Sequence, residues 1–104
     1  MLKNTQPEGV NNRIMSRTSI IELASRFSFT IKFERPRNTL VRFHRDEGTE
    51  EYTMIDVWYS AKRPKLTVGV YKKDLPTKDK SAFLHDVSEE DLVEVFNNPN
   101  SILL

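Results

Sequence analysis

The chain has 104 residues, enough for one domain and short for two, with 38% apolar residues, 30% charged residues and a formal net charge of +1. It contains no cysteine, which excludes a disulfide scaffold, a Cys-based zinc site, an iron–sulfur cluster and a thiol nucleophile. No apolar run approaches the roughly 20 residues that span a bilayer, and residues 1–12 hold no hydrophobic segment of signal-peptide type, so the expectation is an intracellular, cytoplasmic, soluble protein with no membrane partner.

Charge is unevenly spread. Residues 1–45 carry nine Lys/Arg against three Asp/Glu, and residues 46–104 carry seven against twelve. Such polarity can steer a partner, although solvated faces alone also produce it.

In chain order, residues 1–15 are polar, with Pro7, Gly9 and Asn11-Asn12, and read as a flexible arm before a single domain over 16–104. Ser19 followed by Glu22 fits a capping box, and Ile20, Leu23, Ala24 and Phe27 then share a helical face. From Phe27 the period changes to two. Phe27, Phe29, Ile31 and Phe33 alternate with polar residues, predicting a strand that Pro36 ends.

Residues 40–45 and 50–60 predict a hairpin around Glu47-Gly48. A two-residue loop there sets Arg45 opposite Glu50, His44 opposite Glu51, Phe43 opposite Tyr52 and Val41 opposite Met54. Charge and aromatic complementarity favour that register. The stretch from Tyr52 to Tyr59 is apolar on both faces, which suits a central strand. After a basic loop over 61–65, Leu66, Val68 and Val70 predict a fourth strand, residues 73–80 a turn with Pro76, and residues 81–87 a short edge strand. Ser88 is a good N-cap, followed by Glu89, Glu90 and Asp91 in the first turn and Leu92, Val95 and Phe96 as a buried stripe, with Asn97-Asn98-Pro99 as the stop. The sum is an α+β fold: an antiparallel meander of four or five strands with a short N-terminal helix and a C-terminal helix.

Few residues suggest chemistry. His44-Arg45-Asp46 matches part of a protein-kinase catalytic loop, but no glycine-rich loop or Asp-Phe-Gly accompanies it. His44 and His85 sit in no metal-spacing motif, and no phosphate-cradling loop exists among three glycines. No catalytic residue, metal site or cofactor is expected.

Asp56 stands out as an acid in mid-strand among Met54, Ile55, Val57 and Trp58. A buried carboxylate requires a partner or a perturbed pKa. It is either structurally satisfied or, with His44 or Arg42, an acid–base pair for a small hydrolase or nuclease. Arg35 and Arg37 flank one strand end; Lys62, Arg63 and Lys65 flank another, beside Trp58 and Tyr59. These are ingredients of a single-stranded nucleic-acid platform, with phosphate contacts from the cations and base stacking on the rings. The pI near 8.0 argues against a strongly basic domain.

Residues Phe43-His44-Arg45-Asp46-Glu47-Gly48, Ile55-Asp56-Val57-Trp58-Tyr59-Ser60 and Asp86-Val87-Ser88, with Leu92, Phe96 and Asn98-Pro99 following, resemble segments of an uncharacterised family of small eukaryotic proteins. The resemblance covers about half of the chain. Those proteins usually continue into a Thr-Gly-Thr-Val segment and a Gly-Lys-Thr turn, where this chain has Ala61-Lys62-Arg63-Pro64-Lys65 and Thr77-Lys78-Asp79-Lys80. The resemblance implies a similar fold and no activity.

The leading expectation is a non-enzymatic binding or assembly domain for a protein partner or a second copy of itself, engaged through a sheet edge or through oppositely charged ends. Single-stranded RNA or DNA binding through the basic loops ranks second, and hydrolysis by Asp56 and His44 third.

Overall fold

A computed structural model describes residues 14–74 and 78–103. The fold is α+β: one five-stranded antiparallel sheet in meander order, preceded by helix α1 (Arg17–Arg26) and followed by helix α2 (Glu89–Asn97). The strands are β1 (Thr30–Arg35), β2 (Leu40–Arg45), β3 (Thr53–Ser60), β4 (Arg63–Asp74) and β5 (Lys78–Val87), with short 3-10 turns at Pro36–Asn38 and Pro99–Ser101.

Helix α1 is capped by Ser16, one turn before the expected Ser19. The Ser16 hydroxyl accepts from the Ser19 backbone N–H at 3.1 Å. Met15 and Ile20, at the two positions of a hydrophobic staple, both join the core. The core therefore begins at Met15, inside the stretch read as an arm; residues 1–13 of that stretch lie outside the described residues.

The helix closes on Phe27, with Ser28 at a positive φ of 67°. The Phe27 and Phe29 backbone N–H groups return to the Ala24 carbonyl. The strand consequently starts at Thr30 instead of Phe27. A bulge then separates the Ile31–Phe43 and Phe33–Arg42 pairs. The extra residue, Lys32, turns Phe33 to the face opposite Ile31, which corrects the expected single apolar face.

The β2–β3 register also differs from the tight hairpin. Arg45 lies opposite Thr53, His44 opposite Met54, Phe43 opposite Ile55, Arg42 opposite Asp56 and Val41 opposite Val57. Two successive turns connect the strands: Thr49 N–H donates to the Asp46 carbonyl and Tyr52 N–H to the Thr49 carbonyl, both at 3.2 Å. The physical reason is burial. An odd register shift exchanges the faces of β3. The tight register would align Asp56 with Val41 and Phe43 against the helices, whereas the observed one buries Ile55 and Val57 there.

Strands β4 and β5 are longer than expected, and Arg63, Pro64 and Lys65 belong to β4, leaving Ala61-Lys62 as the turn. Both helices cover one face of the sheet. Ile20, Leu23, Ala24, Leu92, Val95 and Phe96 pack there with Val41, Phe43, Ile55, Val57, Val68 and Val70. The Phe96 ring meets Phe43 edge-on at 5.5 Å and Phe29 at 5.3 Å. Helix α2 matches its sequence signals: Ser88 accepts from the Asp91 N–H, and Leu92, Val95 and Phe96 are buried. No helix among the described residues is long and apolar enough to cross a membrane.

Candidate functional site

Among the described residues both helices lie on one face of the sheet, and the other face carries side chains alone. Paired residues on neighbouring antiparallel strands share a face, so the register defines three rows there. The middle row runs Phe33, Arg42, Asp56, Gly69, Phe83. The row towards the β3–β4 turn runs Arg35, Leu40, Trp58, Thr67. The remaining row contains His44, Met54, Tyr71 and Ser81.

At the centre Arg42 clamps Asp56 with both prongs of its guanidinium, Nε to Oδ1 at 2.6 Å and a terminal nitrogen to Oδ2 at 2.8 Å. Asp56 is 1% exposed. The Arg42 guanidinium lies 4.8 Å from the Phe33 ring centre and 5.4 Å from that of Tyr71, a cation–π sandwich. The hydrogen bonds to Asp56 raise the Arg42 pKa further above its ordinary value. Burial, and secondarily the Asp56 charge, push the Tyr71 phenol up.

Next to this pair the rings form a continuous belt. Tyr71 meets Phe83 edge-on at 5.7 Å, and Phe83 meets Trp58 at 6.0 Å. Gly69 makes the close approach possible: a Cβ there would lie 2.9 Å from the Tyr71 hydroxyl and 3.0 Å from the Phe83 ring. Phe83 remains 53% exposed.

One end of this face is cationic. Arg35, Arg37 in the 3-10 turn, Lys62, Arg63 and Lys65 gather where β1 meets β2 and β3 meets β4. The side chains of Arg37, Lys62, Arg63 and Lys65 make no ion pair or hydrogen bond with another described residue. Arg35 lies 5.6 Å from the Phe33 ring centre. At the opposite end Glu47 pairs with Lys32 at 3.9 Å, Asp46 with Arg45 at 3.4 Å and Glu51 with Lys72 at 3.1 Å, while exposed Glu50 makes no ion pair with a described residue.

A cleft of about 150 Å3 at the cationic end brings together Trp58, Arg63, Lys65, Thr67 and Asp86. Arg35 and Arg37 line a separate shallow groove with Glu34 and Pro36. Tyr59, adjacent in the chain to Trp58, also lines the cleft at the cationic end, where the ladder is irregular between Trp58 and Ser60. It packs against the helix-side core and lines an apolar cleft with Ile14, Met15 and Thr39.

Asp56 and His44 do not pair. The His44 Nδ1 lies 3.1 Å from the Tyr52 hydroxyl, while both Asp56 oxygens are held by Arg42. Among the described residues no three His, Asp or Glu side chains gather as a metal site. Phe33, Tyr71, Phe83 and Asp86 join the site without having been singled out for it from the sequence. Mid-strand Gly69, a sign of close approach, is the signal that pointed there. Comparison with protein-family models, curated proteins and solved structures finds no match to this chain.

Proposed function

We propose that this is a non-enzymatic binding domain that takes a single-stranded nucleic acid across the helix-free face of its sheet. The observation that carries the reading is the aromatic belt of Tyr71, Phe83 and Trp58 running into cations that have no partner among the described residues. Bases stack on exposed rings, and phosphates draw in unpaired cations. A binding protein needs both within one backbone's reach, and here the belt runs along one face from Tyr71 to Trp58, whose row borders the cations.

Protein pairing through the sheet edges has less support. Both edge strands are bulged, β1 between Ile31 and Phe33 and β5 between Leu84 and Val87. Bulges and charged residues such as Lys32 blunt an edge against strand addition. Head-to-tail contact is weakened only in part, because Asp46, Glu47 and Glu51 already have ion-pair partners within the chain whereas Glu50 has none among the described residues. Hydrolysis is disfavoured by the Arg42 clamp on both oxygens of Asp56.

The test is anisotropy of a labelled mixed-sequence single-stranded RNA across a salt series. Binding is expected to weaken with salt. Neutralising Lys62, Arg63 and Lys65 together should flatten the slope of log affinity against log salt by about 2, at roughly 0.7 per phosphate contact. Phe83→Ala should cost about 1–3 kcal/mol while leaving the slope unchanged. Absence of binding at low salt, or binding indifferent to both variants, would overturn the reading.

A further inference from the structure

We infer that the cleft at the cationic end receives a ribose, so that the domain prefers RNA to DNA of the same sequence. This rests on the nucleic-acid reading above and concerns one residue within it, Asp86.

Asp86 lines the same cleft as Trp58, Arg63, Lys65 and Thr67. Its carboxylate forms no ion pair or hydrogen bond with a described residue, although Arg63 and Lys65 border the same space. The β5 bulge holds it there. The ladder steps from the Val68–Leu84 pair to the Leu66–Val87 pair, and Asp86 takes a positive φ of 57°. That backbone conformation is uphill for a residue with a Cβ, although Asp tolerates it better than most. A bulge of this kind re-aims a side chain out of the regular alternation.

The chemistry of the lining restricts what can occupy it. A phosphate is attracted by Arg63 and Lys65 and repelled by Asp86, so it sits on the cation side. An ionised carboxylate only accepts hydrogen bonds. Whatever meets Asp86 must therefore donate, and must lie one short step from a phosphate on one side and a stacked base on the other. The ribose 2′-hydroxyl has that position and that capacity; deoxyribose has nothing to offer there. The volume agrees. About 150 Å3 is well below the roughly 300–1,000 Å3 of pockets that enclose a whole drug-sized ligand, and suits one ring of a longer chain.

The experiment measures affinities of the full chain for single-stranded RNA, DNA and 2′-O-methyl RNA of one sequence. The wild type is expected to bind RNA about threefold to tenfold more tightly than DNA, the low side of a charge-assisted hydrogen bond because the cleft is open. The methylated RNA, which cannot donate, should bind like DNA. Asp86→Gly keeps the positive φ accessible and removes the carboxylate; it should equalise the affinities for RNA and DNA. Asp86→Asn, which retains an acceptor oxygen, should keep part of the preference. Equal wild-type affinity for RNA and DNA would overturn the ribose inference and leave the nucleic-acid reading intact. So would a preference that survives Asp86→Gly. Failure of the wild type to bind any of the three would overturn both.

Discussion

The Arg42–Asp56 pair gives the sharpest test of how the helix-free face is held. Replacing Arg42 with Met leaves a carboxylate whose side chain is 2% exposed without its two charge-assisted hydrogen bonds. Stranding a buried charge costs about 3–5 kcal/mol. The Arg42 side chain keeps 26% exposure, so the pair is incompletely desolvated and the lower end, about 3 kcal/mol, applies. The reverse variant, Asp56→Asn, strands a guanidinium that can still reach water, and should cost less, about 1–2 kcal/mol. The double variant Arg42→Met/Asp56→Leu removes both charges between Phe33 and Tyr71 and should recover most of the loss, because apolar replacement of a buried pair is often neutral. Against a total of about 5–15 kcal/mol for a small domain, these differences are easily read as midpoint shifts in urea at constant m-value. The reasoning fails if Arg42→Met costs no more than Asp56→Asn, or if the double variant is no better than Arg42→Met.

Gly69→Ala inserts a Cβ at 2.9 Å from the Tyr71 hydroxyl and 3.0 Å from Phe83; both are far ends of side chains that can give way, so a loss of about 1 kcal/mol is expected, at the low end for overpacking. Urea unfolding measures it, and a gain in stability, as flexible-site Gly→Ala changes give, would mean the rings are not held against the strand. The Tyr71 phenol is held above its ordinary pKa of 10.0 by burial first and the Asp56 charge second. The sign follows: the native state holds the phenol proton more tightly, so the contribution is fully present below the unfolded pKa and is lost as pH rises through the folded one. Stability of the wild type should therefore fall more steeply above about pH 10 than that of Tyr71→Phe; parallel curves for the two proteins would contradict the raised value.

The parts of this fold that are legible in the sequence are those whose signals are local. Helix α2 has its cap, its acidic first turn and its apolar stripe within one short segment, and each appears as read. The meander order follows from successive strand and turn signals. Register is different, because one inserted residue changes everything beyond it. Lys32 looks like an ordinary wet-face residue, yet as a bulge it carries Phe33 to the opposite face. Gly48 suggests a two-residue loop, yet Asp46 also takes a positive φ, of 62°, and the connection closes through two turns. Asp56 was identifiable as anomalous from its neighbours alone, with His44 and Arg42 as candidate partners; the register, which sets Arg42 opposite Asp56, decides between them. Trp58 and Tyr59 are another case: regular alternation would part them, yet the ladder is irregular between Trp58 and Ser60 and both line the cleft beside Arg63 and Lys65.

The same register also explains why a face without helices can be both exposed and ordered. A sheet face left open must still satisfy its polar groups and keep its rings from collapsing into a disordered layer. Here the central carboxylate is satisfied within the layer by Arg42, and the guanidinium in turn is sandwiched between Phe33 and Tyr71. Gly69 lowers the floor under Tyr71 and Phe83, so that they lean on the backbone and on each other. On the proposed nucleic-acid reading, rings held in this way would not have to be ordered by binding, which would remove a cost of about 0.5–1.5 kcal/mol for each side chain otherwise immobilised. Arg37, Lys62, Arg63 and Lys65 have no such anchor among the described residues. A fixed stacking surface bordered by adjustable cations suits a ligand whose bases are planar and alike in thickness and whose backbone path varies from one sequence to the next.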